Sequence, residues 1–578
     1  MPSAKPGWTK SNREAAAAAT EVVAVLEPEI GVLASVDPAG FTEAIGSMGM
    51  SLLARPAELW KATARYAAGM TSAAMAGAVR AVGVNAAGPV SPDRLDSRFA
   101  DPAWETNPWF FSLEQAYLLW ARLMSDLVAA AELSEPHQQK AEFAIQALVD
   151  ALAPTNVLAG NPVALRKAVD TGGWSVLRGL SNFYDDLANN HGLPRQVDTS
   201  PFTLGVNLAA TPGKVVYRNE LMELIQYEPQ TETTFEVPLL LSPAWINKYY
   251  LLDLSPGRSF VEWAVSHGHT TFAISYRNPD ESMRDVALDD YLIHGPHTAL
   301  DVIADITGQP QANIVGVCLG GTLTAMLLAY LAGTGEDRIR SATLLNTLVD
   351  FSEPGIWGTF ADSRTVARFS QQMARRGYVG PGELAVMFNM LRPRELVWNY
   401  VASNWLMGEQ PPAYDLLAWN ADGIRMPGAM HAYYLRYCHV ENQLARGEMI
   451  LAGTRLHLED IAEEVYLLAA RNDHICAWTS QYKTTQLLRH ARFVLGSSGH
   501  VAGIVNPPHP KAHYWTNDNL PADARAWLAD AVKRESSWWQ DWAAWISQRS
   551  GGLRPPPATG STKYPPLTDA PGTYVRDE

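Results

Sequence analysis

The chain has 578 residues, 47% hydrophobic and 18% charged, an ordinary globular composition long enough for several structural units. Its net charge of −15 argues against nucleic acid and against anionic lipid headgroups, both of which attract clustered Lys and Arg. No apolar run approaches the roughly 18 residues needed to cross a bilayer, and Met1–Trp8 lacks the apolar core of a secretory signal. Three cysteines, at 318, 438 and 476, exclude a disulfide scaffold and point to a reducing compartment, so a cytoplasmic location is expected.

Residues 1–205 read as a helical N-terminal domain. Leu113–Trp120 and Phe143–Val149 repeat apolar residues at the three-to-four spacing of an amphipathic helix. Roughly the first 80 residues, rich in Ala and Gly, give no firm boundaries. From about residue 206 to 578 the texture changes to a catalytic domain of another kind. Short β-branched runs (238–241, 271–275, 314–316, 341–345, 465–469 and 493–495) alternate with helix candidates such as 259–267 and 288–306. That alternation predicts an α/β class with a mostly parallel sheet covered on both faces. It breaks at about 350–445, a stretch rich in Trp, Pro, Met and Tyr without clear strands, which is expected to form a lid or cap insertion. The Pro-rich tail, about 551–578, is expected to lie extended along the surface.

The run Ile314-Val315-Gly316-Val317-Cys318-Leu319-Gly320-Gly321-Thr322 ends an apolar strand on a glycine-flanked cysteine and opens into a helix. This is the layout of a nucleophile elbow, where a sharp strand-to-helix turn lifts a reactive side chain out of the sheet. Small residues two before and two after the nucleophile let the turn approach neighbouring strands, and Gly316 and Gly320 stand there. A thiol at a helix N-terminus gains thiolate character. A packed free cysteine in a core strand is an equally ordinary fate for the nonapeptide taken alone.

The partners decide between those readings. An α/β-hydrolase fold presents nucleophile, acid and histidine in that chain order, the last two on loops after late strands. Strand 465–470 is followed at once by Asp473, and strand 492–495 by His500. The gap between 318 and 473 leaves room for the cap. Cys318, Asp473 and His500 are therefore the candidate triad. The backbone N–H of Leu319 and a donor from the loop after the early strand, near Ile246, are the candidate oxyanion donors. His474 is expected to give a supporting hydrogen bond, and Cys438 and Cys476 to pack. Neither Cys-x-x-Cys nor His-Glu-x-x-His occurs, so no metal is expected; His509 and His513, with Pro510 between them, read as a surface pair. No cofactor is called for, and no phosphate-cradling glycine loop marks substrate contacts.

Together these residues resemble the polyhydroxyalkanoate synthases. The resemblance rests on the elbow 316–321, Trp245-Ile246-Asn247-Lys248-Tyr249-Tyr250, Arg277-Asn278-Pro279-Asp280, Trp419-Asn420-Ala421-Asp422 with Arg425-Met426-Pro427-Gly428, and Ser498-Gly499-His500 through Pro508. It runs from Asn161-Pro162 to Ala570–Val575 and covers nearly everything beyond the first eighty or so residues. The long N-terminal region and Met283–Val286 with Leu288–Tyr291 are closest to the single-subunit class I type. The resemblance implies acyl transfer from (R)-3-hydroxyacyl-CoA, typically the 3-hydroxybutyryl thioester, into a growing polyester with release of CoA. It also implies a homodimer at the surface of cytoplasmic polyester granules. Trp245 departs from the smaller residue expected there, which bears on acyl chain length. The alternatives are a thioesterase or polyester hydrolase of the same fold, a small-molecule acyltransferase, and a non-catalytic granule-associated protein.

Overall fold

The computed structural model describes residues 37–577; the expectations on the first 36 residues lie outside that range. The described residues divide into two compact units. One runs to Gln196 and includes Val386–Pro412; the other comprises Val197–Ala385 and Ala413 onward. The division thus falls at 196/197, where the sequence suggested 205. Part of the expected 350–445 insertion belongs to the first unit.

That first unit is helical: α1 (Pro38–Ala54), α2 (Pro56–Ala81), α3 (Pro108–Ala130), α4 (Glu135–Ala151), α5 (Pro162–Asp170) and α6 (Trp174–Asn189). Four starts show why they begin where they do. Asp37 caps α1, Asn107 caps α3 and Asn161 caps α5, each ahead of a Pro in the first turn; Pro56 opens α2 directly. Phe99, Trp104, Phe110 and Tyr117 form the core beneath α3. Helix α6 packs on 401–406, where Gly179 leaves no room for a Cβ against the Trp405 carbonyl and the Trp405 indole donates to Asp186 at 2.8 Å.

The second unit is built on an eleven-stranded sheet. Its strands are β1 (Gly213–Arg218), β2 (Met222–Tyr227), β3 (Leu239–Ser242), β4 (Thr271–Tyr276), β5 (Ala312–Val317), β6 (Ile339–Leu345), β7 (Glu464–Ala470), β8 (Ala491–Gly496), β9 (Tyr514–Thr516), β10 (Val532–Arg534) and β11 (Thr568–Asp569). Their order across the sheet is β10-β9-β8-β7-β6-β5-β3-β4-β2-β1-β11. From β4 through β3, β5, β6 and β7 to β8 every pairing is parallel, and the flanking pairings are antiparallel. The parallel centre is buried on both faces, which is why β3, β4 and β5 carry no exposed position.

Helices α7 (Phe260–Ser266), α8 (Leu319–Thr334), α9 (His500–Ile504) and α10 (Trp538–Ser547) flank the sheet. Helix α8 is apolar nearly all round and buried through most of its length, as a central helix must be. The expected helix 288–306 is broken into Leu288–Leu292 and Thr298–Thr307, because Gly295 leaves helical backbone (ψ −114°) ahead of Pro296. The cap region carries two-residue strands, Tyr378–Val379 and Met426–Pro427, paired antiparallel. The tail does more than lie on the surface. β11 adds to β1, Val575 is buried, and the fully buried Glu223 carboxylate accepts the backbone N–H groups of Thr573 and Tyr574.

Candidate active site

Strand β5 ends at Val317, and the chain reverses at Cys318 into α8. Cys318 holds φ 50° and ψ −117°, a backbone region that a side chain bearing a Cβ occupies only under strain. Its N–H donates to the Leu345 carbonyl at 2.8 Å, tying the elbow to β6. The flanking glycines are dictated by proximity. A Cβ at Gly316 would overlap the Thr324 hydroxyl and the backbone of Gly320 and Gly321, and one at Gly320 would overlap the Ser242 and Pro243 carbonyls. The thiol therefore stands at the carboxyl end of a central parallel strand, where this kind of sheet places its ligands.

Strand β7 ends at Ala470, and the next three residues form a turn pinned to the neighbouring strand by Arg471 N–H to Gly496 and Asn472 N–H to Ser498, both at 2.9 Å. The Asp473 carboxylate is wholly buried and makes four hydrogen bonds. Oδ1 accepts the backbone N–H groups of Ile475 and Cys476, both at 2.9 Å; Oδ2 accepts Gln481 Nε2 at 3.1 Å and His500 Nδ1 at 2.7 Å. Donors from its own turn fix the carboxylate, and it in turn fixes the imidazole.

His500 opens the short helix α9 beyond β8. Its carbonyl accepts Asn346 Nδ2, while the indoles of Trp538 and Trp539 donate to the carbonyls of Gly503 and Ile504 at 2.8 and 2.9 Å. Those tryptophans belong to α10, whose aromatic face packs around Phe260 of α7. The Trp-rich core thus positions a histidine on the other side of the turn.

The electrostatics follow from burial and pairing. Burial alone would lower the His500 value, but the Asp473 charge, and then Cys318, hold it well above the usual histidine range. The Cys318 thiol is lowered to about 5, first by a hydrogen bond with the Cys476 side chain, then against burial by the charge of and hydrogen bond with His500. Both directions favour a thiolate beside an imidazolium. Cys476, expected to pack, is buried, and its own value is raised well above the thiol range, first by the same hydrogen bond and then by burial. Cys438, by contrast, is an apolar-packed thiol whose value burial raises.

Leu319 is the first residue of α8, and Ile246 sits in the turn between β3 and the buried segment Tyr249–Leu251. That loop is fastened to the base of the cap. Lys248 pairs with Asp422 at 2.8 Å, Tyr250 donates to the same carboxylate at 2.8 Å, the Trp419 indole donates to the Lys248 carbonyl at 2.8 Å, and Asn247 bridges Gly423. Trp245 is completely buried, edge-on to Tyr291 and Tyr434. Burial raises the Tyr434 value well above the usual tyrosine range, with Cys438, Cys318 and Cys476 adding to it, so this aromatic wall lies toward the thiols. His509 and His513 hydrogen-bond locally, to Asn506 and to the Lys511 carbonyl. Among the described residues no group of three or more His, Cys, Asp or Glu could hold a metal.

Comparison with known proteins gives the family and the fold. A sequence profile described as the N-terminus of poly-beta-hydroxybutyrate polymerase (PhaC) matches residues 95–264, and one for the alpha/beta hydrolase fold matches 239–507. A poly(3-hydroxyalkanoate) polymerase of Methylorubrum extorquens is 43% identical over 493 residues, 84% of this chain and 82% of that one. The poly(3-hydroxyalkanoate) polymerase subunit PhaC of Cupriavidus necator is 42% identical, over 83% of each chain. This chain belongs to the poly(3-hydroxyalkanoate) polymerase family. It is an acyl-transferring enzyme on an α/β-hydrolase fold with a helical N-terminal region. The namesake from Rhizobium meliloti is 41% identical over 84% of this chain and 80% of that one. The hydrolase-fold match spans β3 to α9 and so contains Cys318, Asp473 and His500. No helix among the described residues is long and apolar enough to cross a membrane.

Proposed function

We propose that this polymerase converts (R)-3-hydroxyacyl-CoA, most readily the 3-hydroxybutyryl thioester, into polyester through acyl thioesters on Cys318. The observation that carries the reading is the buried His500–Asp473 pair, together with the half-buried elbow cysteine Cys318, whose thiol is depressed to about 5, in a chain of this family. The thiolate attacks the acyl-CoA carbonyl, and the oxyanion is met by the Leu319 N–H and a donor near Ile246. The tetrahedral centre collapses, the C–S bond to CoA breaks, and the leaving thiolate takes the proton from His500. Neutral His500 then accepts the proton of a 3-hydroxyl group, whose oxygen attacks the Cys318 thioester; a C–O ester bond forms and the Cys318 thiolate is released beside imidazolium. Asp473 keeps the Nδ1 proton in place throughout.

Cysteine suits this task. Thioester exchange is nearly thermoneutral, so the acyl group stays activated for the hydroxyl, whereas an oxygen ester on serine would sit lower. Water must lose to the hydroxyl, and the aromatic wall of Trp245, Tyr291 and Tyr434 supports a dry acyl site. We further place the enzyme in the cytoplasm as a homodimer at polyester granules. What supports the granule part is α6, whose Trp174, Leu177, Leu180, Tyr184 and Leu187 lie exposed along one helical face. The test is a product balance: supply (R)-3-hydroxybutyryl-CoA and measure free CoA, insoluble polyester and free hydroxy acid together. CoA matched by polyester is expected. CoA matched by hydroxy acid would make the protein a thioesterase, and neither product would make it a non-catalytic granule protein.

A further inference from the structure

Strand β6, beside the elbow, ends in a turn that reaches the elements carrying all three candidate triad residues. The Leu345 carbonyl, the last of β6, accepts the Cys318 N–H at 2.8 Å, and the Thr347 hydroxyl is shared between the carbonyls of Cys318 and Leu345 at 3.3 and 3.1 Å. Between those two residues, Asn346 donates its backbone N–H to the Leu468 carbonyl at 2.8 Å, on β7, the strand that leads into Asp473. Its side-chain Nδ2 donates to the carbonyl of His500. The carboxamide can face His500 only this way round, since a carbonyl oxygen accepts and never donates. His500 is thus gripped at two points, its imidazole by Asp473 Oδ2 at 2.7 Å and its backbone by Asn346.

Asn346 is fully buried and holds φ 47°, in the left-handed region that Gly and Asn occupy most readily. The turn by itself would be served by glycine, which reaches that region at no steric cost. Glycine would also spare the molecule a buried Oδ1 that has no hydrogen-bond partner among the described residues, an arrangement that costs the desolvation of that oxygen. What the side chain adds over glycine is one donation, to the residue that carries the imidazole. We propose that Asn346 is a positioning residue of this site: it holds the backbone of His500 in register with β6 and β7, so that the imidazole stands where it can exchange a proton with Cys318. The inference rests on Cys318 and His500 being nucleophile and base. Without the donation the peptide between His500 and Val501 is free to turn, and the imidazole pivots about its remaining hold on Asp473. A misplacement on the order of 1 Å costs up to about a hundred-fold in rate. Because the bond acts through the base, the loss should fall on kcat and leave KM nearly unchanged.

The test compares wild type with Asn346→Gly, which keeps the left-handed turn and the bond to Leu468 and removes the donor. Two readouts are taken. The pH midpoint of Cys318 alkylation by iodoacetamide, scored on the Cys318 peptide by mass, needs no substrate; CoA release from (R)-3-hydroxybutyryl-CoA gives kcat and KM. The midpoint is expected to rise by about half a pH unit or more, because a displaced imidazolium stabilises the thiolate less. The expected loss in kcat is about ten-fold or more, with KM within about three-fold of wild type. Asn346→Ala serves if the glycine variant fails to fold, as judged by Tm. A folded variant whose midpoint or kcat falls short of those shifts would overturn the proposal, as would a loss carried by KM alone. Failure of both variants to fold would assign Asn346 to the turn and overturn it as well. If the wild type fails the product balance, the reaction assignment falls and the alkylation midpoint alone decides the positioning role.

Discussion

Replacing Asp473 with Asn keeps the shape of the side chain and removes its charge. An Asn oxygen can still accept the Ile475 and Cys476 N–H groups, but its NH2 then meets Gln481 Nε2 and His500 Nδ1–H, donor against donor. The imidazole must reverse its tautomer or tilt away. Two losses follow. Without the carboxylate the imidazolium is no longer favoured, so the Cys318 thiol loses the part of its lowering that His500 supplies, offset in part by removal of the Asp473 charge that raises it. A full return to the ordinary thiol value near 8.5 would leave about 3% thiolate at pH 7, so this loss is at most roughly thirty-fold. The lost charge-assisted hydrogen bond to His500 costs about 1.5–3 kcal/mol, or roughly ten- to a hundred-fold. Together kcat should drop by about a hundred-fold or more, with a smaller change in KM. The assay is CoA release from (R)-3-hydroxybutyryl-CoA at pH 7, with Tm as a check on the fold. A folded Asp473→Asn enzyme within about five-fold of wild type would refute the coupling of carboxylate, imidazole and thiol.

Three further outcomes are expected. Because the Cys318 value lies below the ordinary thiol range, the reactive thiolate is present above about pH 5 and lost as pH falls through it. Alkylation of Cys318 should therefore be near its plateau at pH 7, and a midpoint near 8.5 would contradict the ion pair. Gly320→Ala should destabilise by about 3 kcal/mol or more or fail to fold, read by chemical denaturation, since its Cβ would strike the Ser242 and Pro243 carbonyls. Asp422→Ala releases Lys248 and the Tyr250 hydroxyl and frees the loop that carries Ile246; kcat should fall by about ten-fold or more with the fold retained, measured by CoA release.

The parallel centre of the sheet, and the places of the candidate triad residues after its strands, were legible in the chain because each element there is locally self-consistent. The runs at 314–316, 341–345, 465–469 and 493–495 are buried on both faces and so read as unbroken apolar segments. The elbow glycines mark themselves by spacing, and the acid and histidine follow their strands directly. Other features depend on partners distant in sequence. Strands β9 and β10 are three residues each, and Val532, Lys533 and Arg534 are all exposed, so no period marks them. The capture of the tail by Glu223 joins residues some 350 apart. The ties between Asp422 and the Ile246 loop join residues some 170 apart, and the place of 386–412 among the N-terminal helices is set by packing.

The central claim is that the acyl group passes through the Cys318 sulfur. Wild-type enzyme mixed with (R)-3-hydroxybutyryl-CoA, quenched in acid within a turnover and digested, should carry a hydroxybutyryl or oligomeric mass on the Cys318 peptide. Cys318→Ala should carry none, release no CoA and remain folded. An acyl group on any other residue, or steady CoA release by Cys318→Ala, would contradict it.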